Sequence, residues 1–274
     1  MGAPVVIRRA SAADYPAFTR LFPQLGVDEP LPGADAWASA YVPFTLIAAE
    51  GADVLGYCYT QELDDTGYVR NVVVAPSARR RGVARALMEA TAWHLRAQGK
   101  AYWRLNVGPR NAAALALYES LGLRTLYASR ALRVPWQSAT SLPASRAQVH
   151  GLPPARDEEL EREFALPRGQ LAHARGVGRL VLAAAPSDDA RSLGLAVFSP
   201  AFPGAFPFRA REDAAVRSLV EAMHTHVPAC PHVNLVIDDD EPLVRLLVAA
   251  GAEVRGDFLH LAAPLADLPG SSSA

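Results

Sequence analysis

Residues 68–123 decide the fold of the first half of the chain: YVRNVVVAPSARRRGVARALMEATAWHLRAQGKAYWRLNVGPRNAAALALYESLGL. An apolar strand over 68–74 ends before Pro76, and an arginine-rich turn leads into a helix predicted over 84–98. This helix has apolar residues at helical spacing, and Gly99 is typical of a C-terminal stop. A strand over Tyr102–Val107 and a helix over Ala112–Ser120 complete an α/β unit.

The turn before the first of these helices has the features of an anion site. The first helical turn presents backbone N–H groups that lack intrahelical partners, at the positive end of the helix dipole. Arg79, Arg80 and Arg81 precede it, and Gly82 has no Cβ to keep a phosphate from the backbone. Consecutive cations at a helix start oppose its dipole. They therefore favour a phosphorylated ligand over a merely solvated helix start.

With these residues the chain resembles the GCN5-related N-acetyltransferase family, which transfers an acyl group from coenzyme A to an amine. The family motif V-x-P-x-x-(Q/R)-x-x-G-x-(G/A) is matched from Val74 and Pro76, through Arg79, to Gly82 and Ala84. A later family motif, Asn followed by Tyr and Gly, is matched by Asn111, Tyr118 and Gly122. The two motifs occur in the family's order and separation.

The resemblance implies acetyl-CoA as acyl donor, without a metal. Backbone groups of Val72 and Val74 would pair with the pantetheine arm. The phosphates would lie at the turn, and Asn111 would contact the cofactor or only cap the next helix. The implied cofactor-binding set is Val72, Val74, Arg79, Arg80, Arg81, Gly82, Val83, Ala84, Arg85 and Asn111.

Tyr118 is the predicted catalytic residue. Transfer from a thioester to an amine expels a thiolate, and a phenol with a reference pKa of about 10 can protonate it. The alternative is a core tyrosine, because leucines 115, 117 and 121 surround it.

The general base and the acceptor are less defined. Glu62 on the third strand is the candidate base, whereas Asp64 and Asp65 have the pattern of a solvated turn. Asp28 and Glu29 could help to bind a cationic acceptor. Small-molecule and peptide amines both fit the resemblance.

The second half repeats the order of elements in the first. When 211–223 is aligned with 79–91 and 233–253 with 104–124, Gly251 meets Gly122. Gly82 then meets Ala214, and Tyr118 meets Leu247. The remaining changes in the motif are Arg80 to Glu212, Arg81 to Asp213 and Asn111 to Asp240. This predicts a degenerate second copy that has lost the anion site and the hydroxyl.

The predicted architecture is two GNAT-like α/β (α+β) domains, each a mixed, mostly antiparallel sheet flanked by helices. The predicted boundaries are 1–137 for the active domain and 144–268 for the degenerate one, with a linker over 135–143. The second domain is expected to serve as a structural partner and as one wall of the acceptor cleft. A fragment that ends near Ser138 is expected to keep the cofactor site.

Composition narrows the remaining possibilities. A formal net charge of -1 argues against sequence-independent nucleic-acid binding, and no apolar run is long enough to span a membrane. Two distant cysteines and no leader pattern predict a cytoplasmic protein with reduced thiols. The histidines and cysteine at 224, 226, 230 and 232 match no zinc spacing. The acidic run before Pro242 is explained by helix capping.

Acyl-CoA-dependent N-acyltransfer, by direct attack of an amine in the N-terminal domain, is therefore the predicted function. Two alternatives are a sensor that binds acyl-CoA without catalysis and a tandem transferase that takes aminoacyl-tRNA. The sequence leaves the acceptor, the acyl length and the oligomeric state open.

Overall fold

The computed structural model describes residues 4–26, 30–144, 147–186 and 191–267. Its strands are β1 Val5–Arg9, β2 Thr45–Glu50, β3 Asp53–Glu62, β4 Thr66–Val74, β5 Tyr102–Val107, β6 Arg124–Pro135, β7 Gln148–Gly151, β8 Leu180–Ala185, β9 Gly194–Ser199, β10 Gly204–Ala210, β11 His232–Asp238 and β12 Glu253–Pro264. Its helices are α1 Tyr15–Leu21, α2 Ala34–Ala36, α3 Val83–Ala97, α4 Ala112–Ser120, α5 Asp157–Glu163, α6 Gln170–Gly176, α7 Asp213–His226 and α8 Glu241–Ala249. None of these helices is both long and apolar enough to cross a membrane.

The chain divides into two compact units. Unit 1 contains the residues up to Asn106, then 111–124, and finally the residues from Leu261 onward. Unit 2 contains 107–110 and 125–260. Strand β6 therefore belongs almost entirely to unit 2, and the end of β12 belongs to unit 1. The units are defined by how compactly their residues pack, which does not test the predicted domain boundaries. The boundaries of 1–137 and 144–268 therefore stay a prediction.

In unit 1, strands β1 to β4 form an antiparallel meander, and β5 joins β4 in parallel. On one face of the sheet the rings of Phe18 and Tyr57 lie 5.4 Å apart, and Trp37 stacks on Phe18. On the other face lies α3, whose Leu87, Met88 and Leu95 are buried. The helices thus cover both faces of the sheet, as expected for an α/β layer architecture.

The sequence interpretation of this unit needs one correction. The strand predicted over 68–74 begins earlier, at Thr66, so Gly67 lies within β4 and pairs with Trp103 of β5. A Cβ at Gly67 would lie 2.4 Å from the methyl groups of Leu95. The glycine is there because α3 packs directly against the backbone of the strand.

Unit 2 repeats this arrangement. Strands β7 to β10 are antiparallel neighbours, and β11 pairs with β10 in parallel. Helix α7 follows β10 as α3 follows β4, and α8 follows β11 as α4 follows β5. The predicted fold class, α/β with mixed, mostly antiparallel strands flanked by helices, is confirmed.

The predicted linker over 135–143 is wrong, because this segment contributes to the core of unit 2. Residues Trp136–Ser141 form a 3₁₀ helix, in which Trp136 and Ala139 are buried. The Trp136 indole N–H donates to the carbonyl of Cys230 at 2.6 Å. Pro135 and Pro143 flank this short helix.

The chain end is part of the core of unit 1, and a substitution there tests this. Leu265 is 1% exposed, and its N–H donates to the Ala101 carbonyl at 2.8 Å. Leu265→Ala is expected to lower the free energy of unfolding by about 2–5 kcal/mol in urea denaturation, because it leaves a cavity. Leu31→Ala, at an exposed leucine of the same unit, should change it by less than about 0.5 kcal/mol. Equal effects would place the chain end outside the core.

Candidate functional site

Strands β4 and β5 separate halfway along β4. Their pairing runs from Thr66 with Tyr102 to Val69 with Leu105 and then stops, although β4 continues to Val74. The second half of β4 is paired with β3 alone in the described residues. Its other edge therefore carries backbone groups that no neighbouring strand uses.

The backbone at Val72 and Val74 faces this open edge. The N–H of Ala75 donates to the Leu55 carbonyl of β3 at 2.7 Å, so alternate residues direct their backbone groups toward β3. Val72 and Val74 lie between those positions and direct theirs the other way. Consistently, the Val74 carbonyl accepts from the Arg79 Nε at 3.3 Å rather than from β3.

The turn between β4 and α3 has an unusual backbone. Arg80 has a φ of 63° and Gly82 a φ of 80°, both in the left-handed region. Among the backbone hydrogen bonds of the described residues, none uses the N–H of Arg80, Arg81 or Gly82 as donor. Nothing lies within 4 Å of the position that a Gly82 Cβ would take. Donors in such a turn, at the start of a long helix, form a concavity that suits phosphate oxygens.

A pocket of about 260 Å³ lies at this turn. Its lining includes seven of the ten predicted cofactor residues, namely Val74, Arg79, Arg80, Gly82, Val83, Ala84 and Arg85, together with Ala78 and Leu117. Val72, Arg81 and Asn111 do not line it.

The arginines at positions 79, 80, 81 and 85 differ in the partners that they have within the protein. Arg81 pairs with Glu50 at 2.8 Å, so its charge is already balanced. Arg79 donates to Gln24 Oε1 at 3.1 Å, and Arg85 donates to Ser120 Oγ at 2.8 Å. Arg80 has no hydrogen bond or ion pair with the rest of the described chain. The sequence pattern did not reveal the counter-charge at Glu50.

Tyr118 lies on α4 and is 9% exposed. Burial raises the pKa of its hydroxyl to about 12, and the neighbouring Cys58 adds to this shift. The side chain is therefore protonated throughout the neutral range, as a proton donor must be. Cys58 is itself fully buried, and burial raises the pKa of its thiol to about 12 as well. A thiol held so firmly in its protonated form is a packing group rather than a nucleophile.

The remaining predicted residues have structural roles or lie outside the description. Asn111 caps α4, since its side-chain oxygen accepts from the Ala114 N–H at 3.2 Å. Glu62, the candidate base, lies 3.9 Å from the Lys100 ammonium group. The Asp65 carbonyl accepts from the N–H groups of Ala101 and Tyr102, at 2.8 and 3.1 Å, in the turn before β4. Asp28 and Glu29 lie outside the described residues.

Residues of the histidine and cysteine run of unit 2 make stacking and hydrogen-bond contacts within the protein. His224 stacks on Trp136 with ring centroids 4.7 Å apart, and Cys230 Sγ donates to the His232 carbonyl. Across the described ranges, no group of three or more His, Cys, Asp or Glu side chains is placed to hold a metal ion. The acidic run before Pro242 includes the predicted cap, because Asp240 accepts from the Leu243 N–H at 3.0 Å.

The equivalent turn of unit 2 lacks the features of an anion site. Glu212 and Asp213 stand at the start of α7, where their carboxylates favour the helix dipole and repel phosphate. Arg211 is used internally, because its guanidinium lies over the Phe164 ring and donates to the carbonyls of Glu163 and Ser192. Leu247, at the position of Tyr118, is completely buried.

A side-chain ion pair spans the opening between strands β10 and β11 in unit 2. Pairing of the two strands stops after Ala205 with Leu235. Beyond it, the Arg209 guanidinium donates to the Asp238 carboxylate at 2.5 Å. This ion pair joins β10 and β11 where unit 1 leaves its open edge.

Comparison with known proteins now identifies the first half of the chain. Residues 9–123 match the model of the acetyltransferase (GNAT) family. This part of the chain belongs to the GNAT family. Among curated proteins, the chain is 38% identical over 82 residues to the [Ribosomal protein bS18]-alanine N-acetyltransferase of Escherichia coli K12. That match covers 30% of this chain and 54% of the relative, so it spans about half the relative's length.

Two solved GNAT structures resemble the fold over nearly the whole chain. A GCN5-related N-acetyltransferase from Sphaerobacter thermophilus has a TM-score of 0.69 and 17% identity, over 98% of each chain. A tandem GNAT protein from the clavulanic acid biosynthesis pathway has a TM-score of 0.64 and 15% identity, over 96% of this chain and 99% of its own. At these identities the similarity concerns the fold alone, and it agrees with a tandem GNAT arrangement.

Proposed function

We propose that the chain is an acetyl-CoA-dependent N-acetyltransferase whose active site lies in unit 1. One observation carries this proposal: the open edge of β4, the donor-rich turn at Gly82 and the buried Tyr118 occur together in unit 1, within a match to the GNAT family. Unit 2 has the same elements, but its turn carries Glu212 and Asp213, an Arg209 and Asp238 ion pair spans its strand opening, and Leu247 stands at the position of Tyr118. The need to fold into a compact unit would not by itself produce this difference between unit 1 and unit 2.

Different residues of unit 1 bind different parts of the acyl donor. Backbone groups of Val72 and Val74 hold the extended arm of the donor at the open edge. The N–H groups of the turn, with Arg80 as the uncommitted cation, hold the phosphates. Arg79, Arg81 and Arg85 contribute charge while they keep their protein partners. Asn111 fixes the start of α4 and thereby positions Tyr118.

Acetyl-CoA supplies an activated acetyl thioester. Attack by a neutral amine forms a C–N bond as the C–S bond breaks, and the departing sulfur needs a proton. Tyr118 donates it, because burial keeps its hydroxyl protonated. The attacking nitrogen loses one proton to solvent as the amide forms, and solvent returns a proton to Tyr118, so the net reaction transfers one proton from the amine to the thiol. The hydroxyl takes part in none of the hydrogen bonds among the described residues, so it is available for this role.

The acceptor is an amine, on a small molecule or on a peptide. The curated relative named above acts on an alanine of a ribosomal protein, which makes a peptide N-terminus one class to test. A cytoplasmic location is consistent with this proposal.

Calorimetry with coenzyme A tests the location of the site. We expect one coenzyme A per chain, because only unit 1 combines the turn at Gly82 with a strand opening that no ion pair spans. Ala214→Asp, at the position of unit 2 that aligns with Gly82, should leave the affinity unchanged. Two equivalent sites per chain, or weaker binding in Ala214→Asp, would assign cofactor binding to unit 2. Thiol release with acetyl-CoA and an amine panel tests the reaction itself.

A further inference from the structure

Arg70 occupies a special position in β4. The register with β3 passes from Tyr59 with Asn71 to Thr60 with Val69, so Arg70 is the extra residue of a β-bulge. The bulge comes one residue after the last pair between β4 and β5. Arg70 therefore stands where the open edge begins.

The Arg70 side chain lies on the face of the sheet that also carries Tyr59 and Tyr68. Its guanidinium is 5.3 Å from the centroid of the Tyr68 ring. Its charge also counteracts the rise in the Tyr59 pKa that burial causes, so it lies near the Tyr59 hydroxyl. The other face at this level is occupied, because Cys58 is buried there beside Thr91 of α3.

A second guanidinium shares this face. Arg104 of β5 pairs directly with Tyr68, and paired residues of adjacent strands project to the same side. The Arg104 Nε is buried and has no hydrogen-bond partner. A buried N–H without an acceptor is costly, and an anionic acceptor would remove this cost.

Neither arginine has a counter-ion among the described residues. By contrast, Arg8 pairs with Asp14 at 2.6 Å and Arg81 with Glu50 at 2.8 Å in the same unit. Two unneutralised guanidinium groups on one face, flanked by tyrosines, form a site that suits a carboxylate.

The position of this site relates it to the reaction. Tyr118 approaches the open edge from the face where Cys58 lies, as its pKa dependence on Cys58 indicates. The pocket at the Gly82 turn is also lined by residues of α3 and α4, which lie on that side. An acceptor amine must then reach the gap between β4 and β5 from the opposite face, past Arg70 and Arg104.

We propose that Arg70 and Arg104 determine acceptor specificity by binding a carboxylate located close to the amine that is acetylated. This inference rests on the proposed function of unit 1. A free amino acid would supply this carboxylate through its α-carboxyl group, and a peptide would supply it through an acidic second residue. This requirement excludes a cationic acceptor as the preferred substrate.

The test compares acceptors that differ only in the anionic group. One arm uses alanine and alaninamide. The other uses the dipeptide amides Ala-Glu-NH₂ and Ala-Gln-NH₂, and lysinamide represents a cationic acceptor. Because the amines of alanine and alaninamide differ in basicity, each variant is compared with the wild type on the same acceptor. The readout is kcat/KM from release of coenzyme A thiol.

Arg70→Gln and Arg104→Gln are expected to lower kcat/KM about 10- to 100-fold for the carboxylate acceptors of at least one arm. The kcat/KM values for alaninamide and Ala-Gln-NH₂, which lack the carboxylate, should change less than about 3-fold. Arg70→Lys should recover part of the preference, since it keeps the charge but not the fork of donors. Arg96→Gln is the matched control, because Arg96 is another exposed arginine stacked on an aromatic ring, Trp93, at 5.7 Å.

The outcomes separate the two proposals. The arm that loses activity in Arg70→Gln identifies the source of the carboxylate. If the wild type acetylates amines but Arg70→Gln behaves as Arg96→Gln on every acceptor, or if lysinamide is preferred, carboxylate selection is overturned while the transferase remains. If coenzyme A binds but the wild type acetylates no amine, the proposed function fails, and the inference fails with it.

Discussion

Gly82→Asp is expected to raise the dissociation constant for coenzyme A at least about 100-fold in calorimetry. Gly82 has a φ of 80°, where a residue with a Cβ is strained by about 1–2 kcal/mol. The aspartate also places a negative charge among the N–H groups that would hold the phosphates. Both effects act at the one turn that distinguishes unit 1 from unit 2.

Two further variants separate strain from charge. Gly82→Ala adds the strain without the charge and should have an intermediate effect. Gly99→Asp puts the same residue at the other end of α3, where φ is 77° and the space around a Cβ is equally open. It should leave coenzyme A affinity within about 3-fold, although it lowers the melting temperature. If Gly99→Asp weakens binding as much as Gly82→Asp does, the loss reflects global destabilisation and the turn is not the site.

The elements of the site followed from sequence because their signals are local. The turn with Gly82, the helix after it and the cap at Asn111 each depend on residues within a few positions. Strand β5 and helix α4 were predicted with the bounds that the structure has. Here hydrophobic period, cap and glycine all indicate the same answer, so long-range contacts do not change it.

The features that the sequence did not reveal depend on contacts between distant residues. The Arg81 and Glu50 pair joins positions 31 residues apart. The bulge at Arg70 is defined only by the register with β3. One local signal was available, since Arg70 and Asn71 are the only polar residues of 68–74, but a polar pair does not by itself distinguish a bulge from an exposed edge.

Local sequence signals also could not reveal how the chain divides into its two compact units. The predicted fragment ending near Ser138 would lack the residues from Leu261 onward, which belong to unit 1. Leu261 and Leu265 are each 1% exposed. Such a fragment would expose the apolar surface that they cover, so we no longer expect it to be a stable carrier of the cofactor site.

The replacements in the motif positions of unit 2 are accompanied by structural gains. Glu212 and Asp213 suit the helix dipole of α7 better than arginines would, and Leu247 fills the core where a tyrosine would need a partner for its hydroxyl. The Arg209 and Asp238 pair joins two strands that would otherwise separate. Each replacement is favourable for folding alone, so the exceptions kept in unit 1 are best explained by ligand binding.

Tyr118→Phe is expected to lower kcat about 10²–10⁴-fold with the preferred acceptor, while the coenzyme A dissociation constant changes less than about 2-fold. The substitution removes the proton donor but keeps the ring, which is the part that packs in the core. Tyr102→Phe is the control, because Tyr102 is a 43% exposed tyrosine of unit 1 that lines no part of the pocket.

The acyl donor and the pH give two independent checks on that role. A donor with a more acidic thiol needs less protonation as it leaves, so the deficit of Tyr118→Phe should shrink with such a donor. Because burial raises the pKa of Tyr118 to about 12, its hydroxyl stays protonated below that value. The wild-type kcat should therefore not fall between about pH 7 and 10 through ionisation of Tyr118. A deficit that is the same for both donors, or an unchanged kcat in Tyr118→Phe, would make Tyr118 a core residue and require another source for the proton.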